Sequence, residues 1–164
     1  MRIMTDEDRE DLEDREDRRC LLDTNVLLRI MNPHLPENTV CNEAMVRLRR
    51  SNYSLFFTIQ NATEFWNVST RPTERNGHGL TNYATGIALG FIEEIAILLP
   101  DDARVYAQWR RLVTEHAIRG VQVHDARLAA SMIVHGVRHI LTLNARDFMR
   151  FSDVEAIHPA TLLQ

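Results

Sequence analysis

The stretch Leu21-Leu22-Asp23-Thr24-Asn25-Val26-Leu27-Leu28 sets two apolar runs on either side of a carboxylate, a hydroxyl and an amide. Each run suits a buried strand or a buried helix end, and periodicity does not separate the two. A polar triplet at their junction points to a strand that ends and a helix that begins. Ligands of parallel α/β sheets bind at the carboxyl ends of strands. A carboxylate placed there is costly unless it is hydrogen-bonded, paired or bound to a cation, so Asp23 is expected to have a purpose.

Outward from this junction, apolar runs and helical patterns alternate. Asn32-Pro33-His34-Leu35-Pro36 reads as a loop, and residues 37–50 as a helix with Arg47, Arg49 and Arg50 in its last turn, where cations suit the dipole. Tyr53 to Ile59 reads as a strand and Gln60 to Thr70 as a helix. Residues 71–79 (RPTERNGHG) form a turn-rich loop, and Thr81 caps a helix to about Glu94. Ile95 to Leu99 is a short apolar run. Asp101 and Asp102 open a helix ending near Gly120, and His124 to His135 is a further helix closed by Gly136. His139 to Leu143 is a strand, Asn144 to Phe151 a short helix and Val154 to Ile157 a last strand. This alternation predicts a three-layer α/β/α sandwich around a mainly parallel central sheet.

Composition bounds the function classes. The chain has 164 residues, of which 45% are apolar and 26% charged, which fits one domain able to bury a core without disulfides. No apolar run is long enough for a membrane span, and the amino terminus is charged where a signal peptide needs an apolar core. Cys20 and Cys41 give neither a metal-binding spacing nor a disulfide framework, so a reducing cytoplasm is the expected location. Residues 1–19 contain nine acids against five arginines and account for the whole net charge of -4. They read as an acidic arm too poor in apolar residues to fold alone, with a single domain over residues 20–164. Every basic residue is Arg, a composition a GC-rich genome would produce, although Arg is also the better bidentate partner for phosphate.

Polar groups recur where the predicted strands end. Asp23 follows the first strand, and Glu64 lies in the first turns of the helix after the second. Asp125 opens a helix, and Asn144 and Asp147 follow the strand ending Thr142-Leu143. In a parallel sheet those ends share one edge, and two or three close carboxylates there cannot all ionise without a cation. Oxygen ligands without Cys or His suit Mg²⁺ or Mn²⁺, and the matching chemistry is metal-assisted phosphodiester hydrolysis. Taken singly, an aspartate placed as Asp23 or Asp125 is most often a helix N-cap, and a glutamate such as Glu64 usually a solvated surface acid. Their joint placement is what favours a site. Arg127 is either a phosphate contact or half of a surface salt bridge. His124 reads as a packing residue. Asn61, Thr63 and Asn67 read as helix-start and backbone partners.

Five blocks in order, LLDTNVLLRI, NATEFWNV, RPTERNGHGL, HDARLAA and LTLNARDF, resemble the PIN-domain ribonucleases, and most of all the toxin half of VapBC-type toxin–antitoxin pairs. The resemblance runs from about Cys20 to the carboxyl end. It implies that Asp23, Glu64 and Asp125 are metal-binding acids. The fourth position departs from the strictest pattern, because many relatives carry Asp where Asn144 stands. Asp147, one helical turn on, is the replacement carboxylate expected to face the same cleft. Thr24, Asn25 and Thr142 are expected to bond to ligands or phosphate. The resemblance further implies a Mg²⁺- or Mn²⁺-dependent endoribonuclease with an RNA substrate, a homodimer, and a small DNA-binding antitoxin as partner. The rival readings are a PIN nuclease of RNA processing that is not a toxin, and a non-catalytic PIN-like module that holds a partner's basic segment. A phosphatase of the haloacid dehalogenase type is disfavoured, because Asp23-Thr24-Asn25 lacks its second aspartate.

Overall fold

In a computed structural model the described residues are 18–164, so the acidic arm read at residues 1–19 lies almost wholly outside them. Strand β1 (Arg19–Leu22) is followed by helices α1 (Thr24–Met31) and α2 (Asn38–Arg50). Then come β2 (Ser54–Thr58), α3 (Ile59–Thr70), α4 (Asn82–Ile95), β3 (Ile97–Leu99) and α5 (Ala103–Glu115). The chain ends with α6 (Gln122–Val134), β4 (His139–Leu141), α7 (Ala145–Phe148) and β5 (Glu155–Ile157), and short 3₁₀ turns lie at Thr73–Arg75 and Pro159–Leu163. The five strands form one sheet in the order β3-β2-β1-β4-β5, and every pairing is parallel. The expected α/β sandwich is present, and its sheet is wholly rather than mainly parallel.

Side chains of a strand alternate between faces, so a strand covered on both sides must be apolar throughout. Strand β1 shows this directly. Cys20 and Leu22 enter one core with Val26, Leu27, Leu48, Phe57 and Phe65, whereas Leu21 enters the other with Leu112, Leu128, Met132 and Ile140. Burial pushes the Cys20 thiol up to about 12 and the Cys41 thiol to about 11, so both behave as small apolar residues.

Helix ends differ from expectation in places that have a physical cause. Helix α5 stops at Glu115 instead of near Gly120, because Ala117 adopts a left-handed φ of 48° that a helix does not continue through. Thr81 caps α4 as expected, its hydroxyl accepting from the Ala84 N–H, and Gly136 (φ 65°) follows α6 in the left-handed region. The loop after α3 folds back on that helix. The His78, Gly79 and Leu80 N–H groups donate to the carbonyls of Val68, Arg71 and Ser69, at 2.8–2.9 Å.

That return sets a sharp steric condition at Gly77, where a Cβ would lie 1.9 Å from the Arg71 carbonyl oxygen. Gly77→Ala is therefore expected to lower stability by about 1–3 kcal/mol, as overpacking does. Gly86→Ala, inside α4 with open space around it, should instead raise stability by up to about 1 kcal/mol. Thermal denaturation of the two variants side by side reads the contrast, and equal melting points would refute it.

Candidate active site

All five strands point the same way, so their carboxyl ends line one edge. From β3 to β5 that edge carries Asp101, the start of α3 with Gln60 and Glu64, Asp23, Thr142 with Asn144, and finally His158. Strand order reverses between β1 and β4, since the chain steps outward to β2 on one side and to β4 on the other. Such a switch point opens a crevice outside the strand ends. Asp23 stands at it.

The environment of Asp23 decides between a cap and a site. Asp23 occupies the N-cap position of α1 with an extended backbone, yet its side chain forms no cap hydrogen bond and meets the helix backbone only at Thr24, its first residue. Asp23 is 8% exposed, and its carboxylate is turned toward the end of β4. Its Oδ2 accepts from the Thr142 hydroxyl at 2.6 Å and from the Asn25 amide at 2.7 Å. Asn25 completes the clasp, because its Oδ1 accepts from the Leu143 N–H at 3.1 Å. Thr142 is fully buried, and its oxygen also accepts from the Asn144 N–H at 3.0 Å. Burial first, and the neighbouring Glu64 charge after it, raise the Asp23 pKa to about 6. The bonds from Thr142, the Thr24 backbone and Asn25 oppose the rise.

Glu64 is held by a second polar system. Its Oε2 accepts from the Thr24 hydroxyl and its Oε1 from the Gln60 amide, each at 2.9 Å. Thr24 in turn accepts from Asn61, at 3.1 Å. Asn61 and Thr58 form a reciprocal capping box at the start of α3, which fixes the helix carrying Glu64 on the end of β2. Gln60 also donates to the His124 carbonyl and accepts from Arg127, both at 3.1 Å, so it joins α3 to α6. Arg127 adds an ion pair to Asp101 at 3.1 Å.

Asp125 lies in the first turn of α6, four residues after the N-cap residue Val121, and so is not a cap. It is half-buried. Burial and the charges of Asp147, Asp23 and Glu64, in that order, push its carboxyl up to about 6, while Arg150 pulls it down. Four acids from four segments therefore share one electrostatic field. The remaining candidate, Asn144, is exposed at the rim and enters the network through its backbone N–H. Its side chain and Asp147 line a recess of about 380 Å³ with Arg146 and His158. Among the described residues no three His, Cys, Asp or Glu converge as a finished ion cage.

Two outcomes differ from the sequence reading. His124 is exposed and contributes its backbone carbonyl, not packing. Gln60 was not singled out, whereas Asn61, read as a helix-start partner, is one in its capping box with Thr58; both are buried and both support Glu64. Two local signals mark them: Gln60 precedes Glu64 by one helical turn, and Asn61 sits three residues after Thr58 in capping-box spacing. Two of the arginines read in the last turn of the helix over residues 37–50 bond to backbone carbonyls outside it. Arg47 donates to the Leu162 carbonyl and Arg49 to that of Ile95. Both lie at the end of α2, beside the amino-terminal edge of the sheet.

Comparison with known proteins places this arrangement. A family model described as the PIN domain matches residues 20–155. The fold is similar to that of VapBC2 from Rickettsia felis bound to a promoter DNA fragment, with a TM-score of 0.60 and 16% identity over 85% of this chain and 97% of that one. It is also similar to VapBC-1 from nontypeable Haemophilus influenzae, with a TM-score of 0.59 and 16% identity over 87% and 98% of the two chains. A third similar structure is Mycobacterium tuberculosis VapC20, described as a toxin cleaving the sarcin–ricin loop, with a TM-score of 0.55 and 17% identity over 74% and 86%. None of the curated proteins compared with the chain matches it.

The raised carboxyls have a consequence for stability. A carboxyl with a folded pKa near 6 and an unfolded value near 3.9 holds a proton in the folded state that the unfolded state has lost. Stability of the metal-free protein should therefore fall as pH rises from about 4 to about 6, and level off above. Asp23→Asn keeps an oxygen acceptor for Thr142 and removes the charge. It should stabilise the protein in chelator by roughly 1–3 kcal/mol at pH 7.5 and have little effect near pH 4. Denaturation across this range tests it, and a destabilised Asp23→Asn at pH 7.5 would contradict the assigned environment.

Proposed function

The chain belongs to the PIN-domain family, and from that premise we propose that it is a divalent-metal-dependent endoribonuclease, the toxin of a type II toxin–antitoxin pair. One observation carries the reading. A buried aspartate at the switch point of the sheet is left uncapped, is oriented by Thr142 and Asn25, and shares its field with Glu64, Asp125 and Asp147. Stability alone does not favour such a cluster, because each acid raises the cost of ionising its neighbours. A divalent cation removes that cost.

The donor set fits Mg²⁺ or Mn²⁺. It offers carboxylate and amide oxygens, and Mg²⁺ is commonly held through one or two carboxylates with water and substrate phosphate filling the remaining positions. In this reading Asp23 and Asp125 hold the ion, with Glu64 as a further acid, and Asp147 supplies the charge that Asn144 lacks. When bound, the ion acts as a Lewis acid on the phosphate and lowers the pKa of water. Thr142, Asn25 and Thr24 keep the acids in place so that little reorganisation accompanies the reaction. Arg127, two residues beyond Asp125 and bonded to Gln60, is proposed as a contact for a substrate phosphate. The products would carry a 5′-phosphate and a 3′-hydroxyl.

RNA is favoured as the substrate by the likeness to a toxin described as cleaving the sarcin–ricin loop. Single-stranded or looped RNA is the form able to bend into a recessed edge. Partners follow from the likeness to VapBC assemblies: a small antitoxin bound over the site, and a second copy of this chain. The exposed Tyr83, Ile87 and Phe91, at four-residue spacing on α4, support an apolar contact of that kind.

Asp23→Asn and Asp125→Asn should each reduce cleavage of single-stranded RNA by at least about 100-fold with the fold intact, and chelation should do the same to the unaltered protein. RNA binding should weaken as salt rises. Activity persisting in both variants would remove the metal-site assignment. Recovery of a small basic-tailed protein on purification from the native host would support the toxin over a nuclease of RNA processing.

A further inference from the structure

At the β3 end of the same edge lies a recess of about 290 Å³ formed by Asp101, Asp102, Val105, Tyr106, Trp109 and Arg127. Val105 is its buried floor. The rings of Tyr106 and Trp109 form one wall, with centroids 6.1 Å apart and planes inclined by 35°. Trp109 is fixed, because its indole N–H donates to the Val123 carbonyl at 3.0 Å. Tyr106 is 65% exposed and so adds little to the core. The opposite wall is the Asp101–Arg127 pair.

Position ties this recess to the candidate acids. Arg127 is two residues beyond Asp125, and through Gln60 it is one amide removed from Glu64. Asp101 follows the end of β3, two strands from Asp23, or about 10 Å at ordinary strand spacing. That is within the reach of a nucleotide or two of extended single strand. The volume is at the low end for a small-molecule site, so it suits one flat ring system and not a helix of a partner protein. Aromatic faces beside a cation are the usual platform for an unpaired base.

We propose that this recess binds one unpaired base of the RNA, stacked on Tyr106 and Trp109, while the backbone continues past Arg127 to the acids. This rests on the ribonuclease reading given above. Charge assigns the preferred base. Asp102 is occupied by Arg104, with contacts of 2.7–3.0 Å, whereas Asp101 accepts from Arg127 at one oxygen, which keeps a second lone pair, and its other oxygen has no partner among the described residues. A carboxylate is an acceptor only, and guanine presents two adjacent N–H donors on its pairing edge, where adenine presents a donor beside an acceptor. Guanine is the base the recess selects.

The test uses the full chain carrying Trp66→Phe, which leaves Trp109 as the only indole. In chelator, where no cleavage occurs, a short single-stranded oligoribonucleotide with one guanine among uridines should quench Trp109 fluorescence saturably. Tyr106→Ala should weaken that binding about tenfold, with an unchanged melting point. Asp101→Asn should abolish the preference for guanine over adenine. With Mg²⁺ present, Tyr106→Ala should raise KM by a similar factor and leave kcat unaltered. Unchanged RNA affinity and KM in Tyr106→Ala would overturn the recess as a base site, and intact cleavage by that variant would leave the nuclease reading standing. Loss of a co-purifying protein by Tyr106→Ala, with RNA binding unaltered, would also overturn it and assign the recess to a protein partner. Absence of both RNA binding and cleavage in the unaltered chain would overturn both readings.

Discussion

The hydrogen bond from Thr142 to Asp23 holds the end of β4 against the end of β1 at the one place where the sheet reverses its strand order. Everything else at the carboxyl edge is arranged around it. A fully buried hydroxyl must find an acceptor, and a buried carboxylate must find donors. Each supplies what the other lacks. The Asn25 side chain closes the ring by bonding to both Asp23 and the Leu143 backbone. Three consecutive polar residues after β1 are thereby committed to polar contacts at a point where the strands on both sides are apolar.

From this clasp the polar network spreads along the edge without entering either core. Thr24 connects it to Glu64 and Asn61, Asn61 to the cap of α3, and Gln60 to α6 and Arg127. The segments that carry the acids are therefore bonded to one another through neutral side chains. Neutral donors orient a carboxylate without cancelling its charge, whereas an arginine in their place would neutralise the site. Arg127 is turned to Gln60 and Asp101, and Arg150 lowers the Asp125 carboxyl without matching the three acids that raise it.

The outside of the domain shows a division of labour. Arg47 and Arg49 close helix and turn carbonyls at the amino-terminal edge, far from the acids. Apolar side chains are exposed on α4 and on the edge strand β3, while the polar network and the recess beside Trp109 occupy the carboxyl edge. A folded domain with as many arginines as acids can thus present an acidic cleft, a flanking aromatic wall and an apolar face in different directions. Net charge describes none of these separately.

The sequence by itself determined the layers and the order of elements. Leu21-Leu22 before Asp23, and the apolar runs ending at Thr58, Leu99 and Leu141, are strands because only burial on both faces tolerates such continuity. Asp23, Glu64 and Asp125 were legible as a set, because strand ends of a parallel sheet share an edge. Folding alone decided the rest. Whether Asp23 capped its helix depended on Thr142, 119 residues away. The supporting roles of Gln60 and Asn61, and the pairing of Arg127 with Asp101, likewise depend on contacts between α3, α6 and the end of β3. Local periodicity reports which face of a segment is buried. It does not report which distant side chain completes a hydrogen bond, and at this edge those completions define the site.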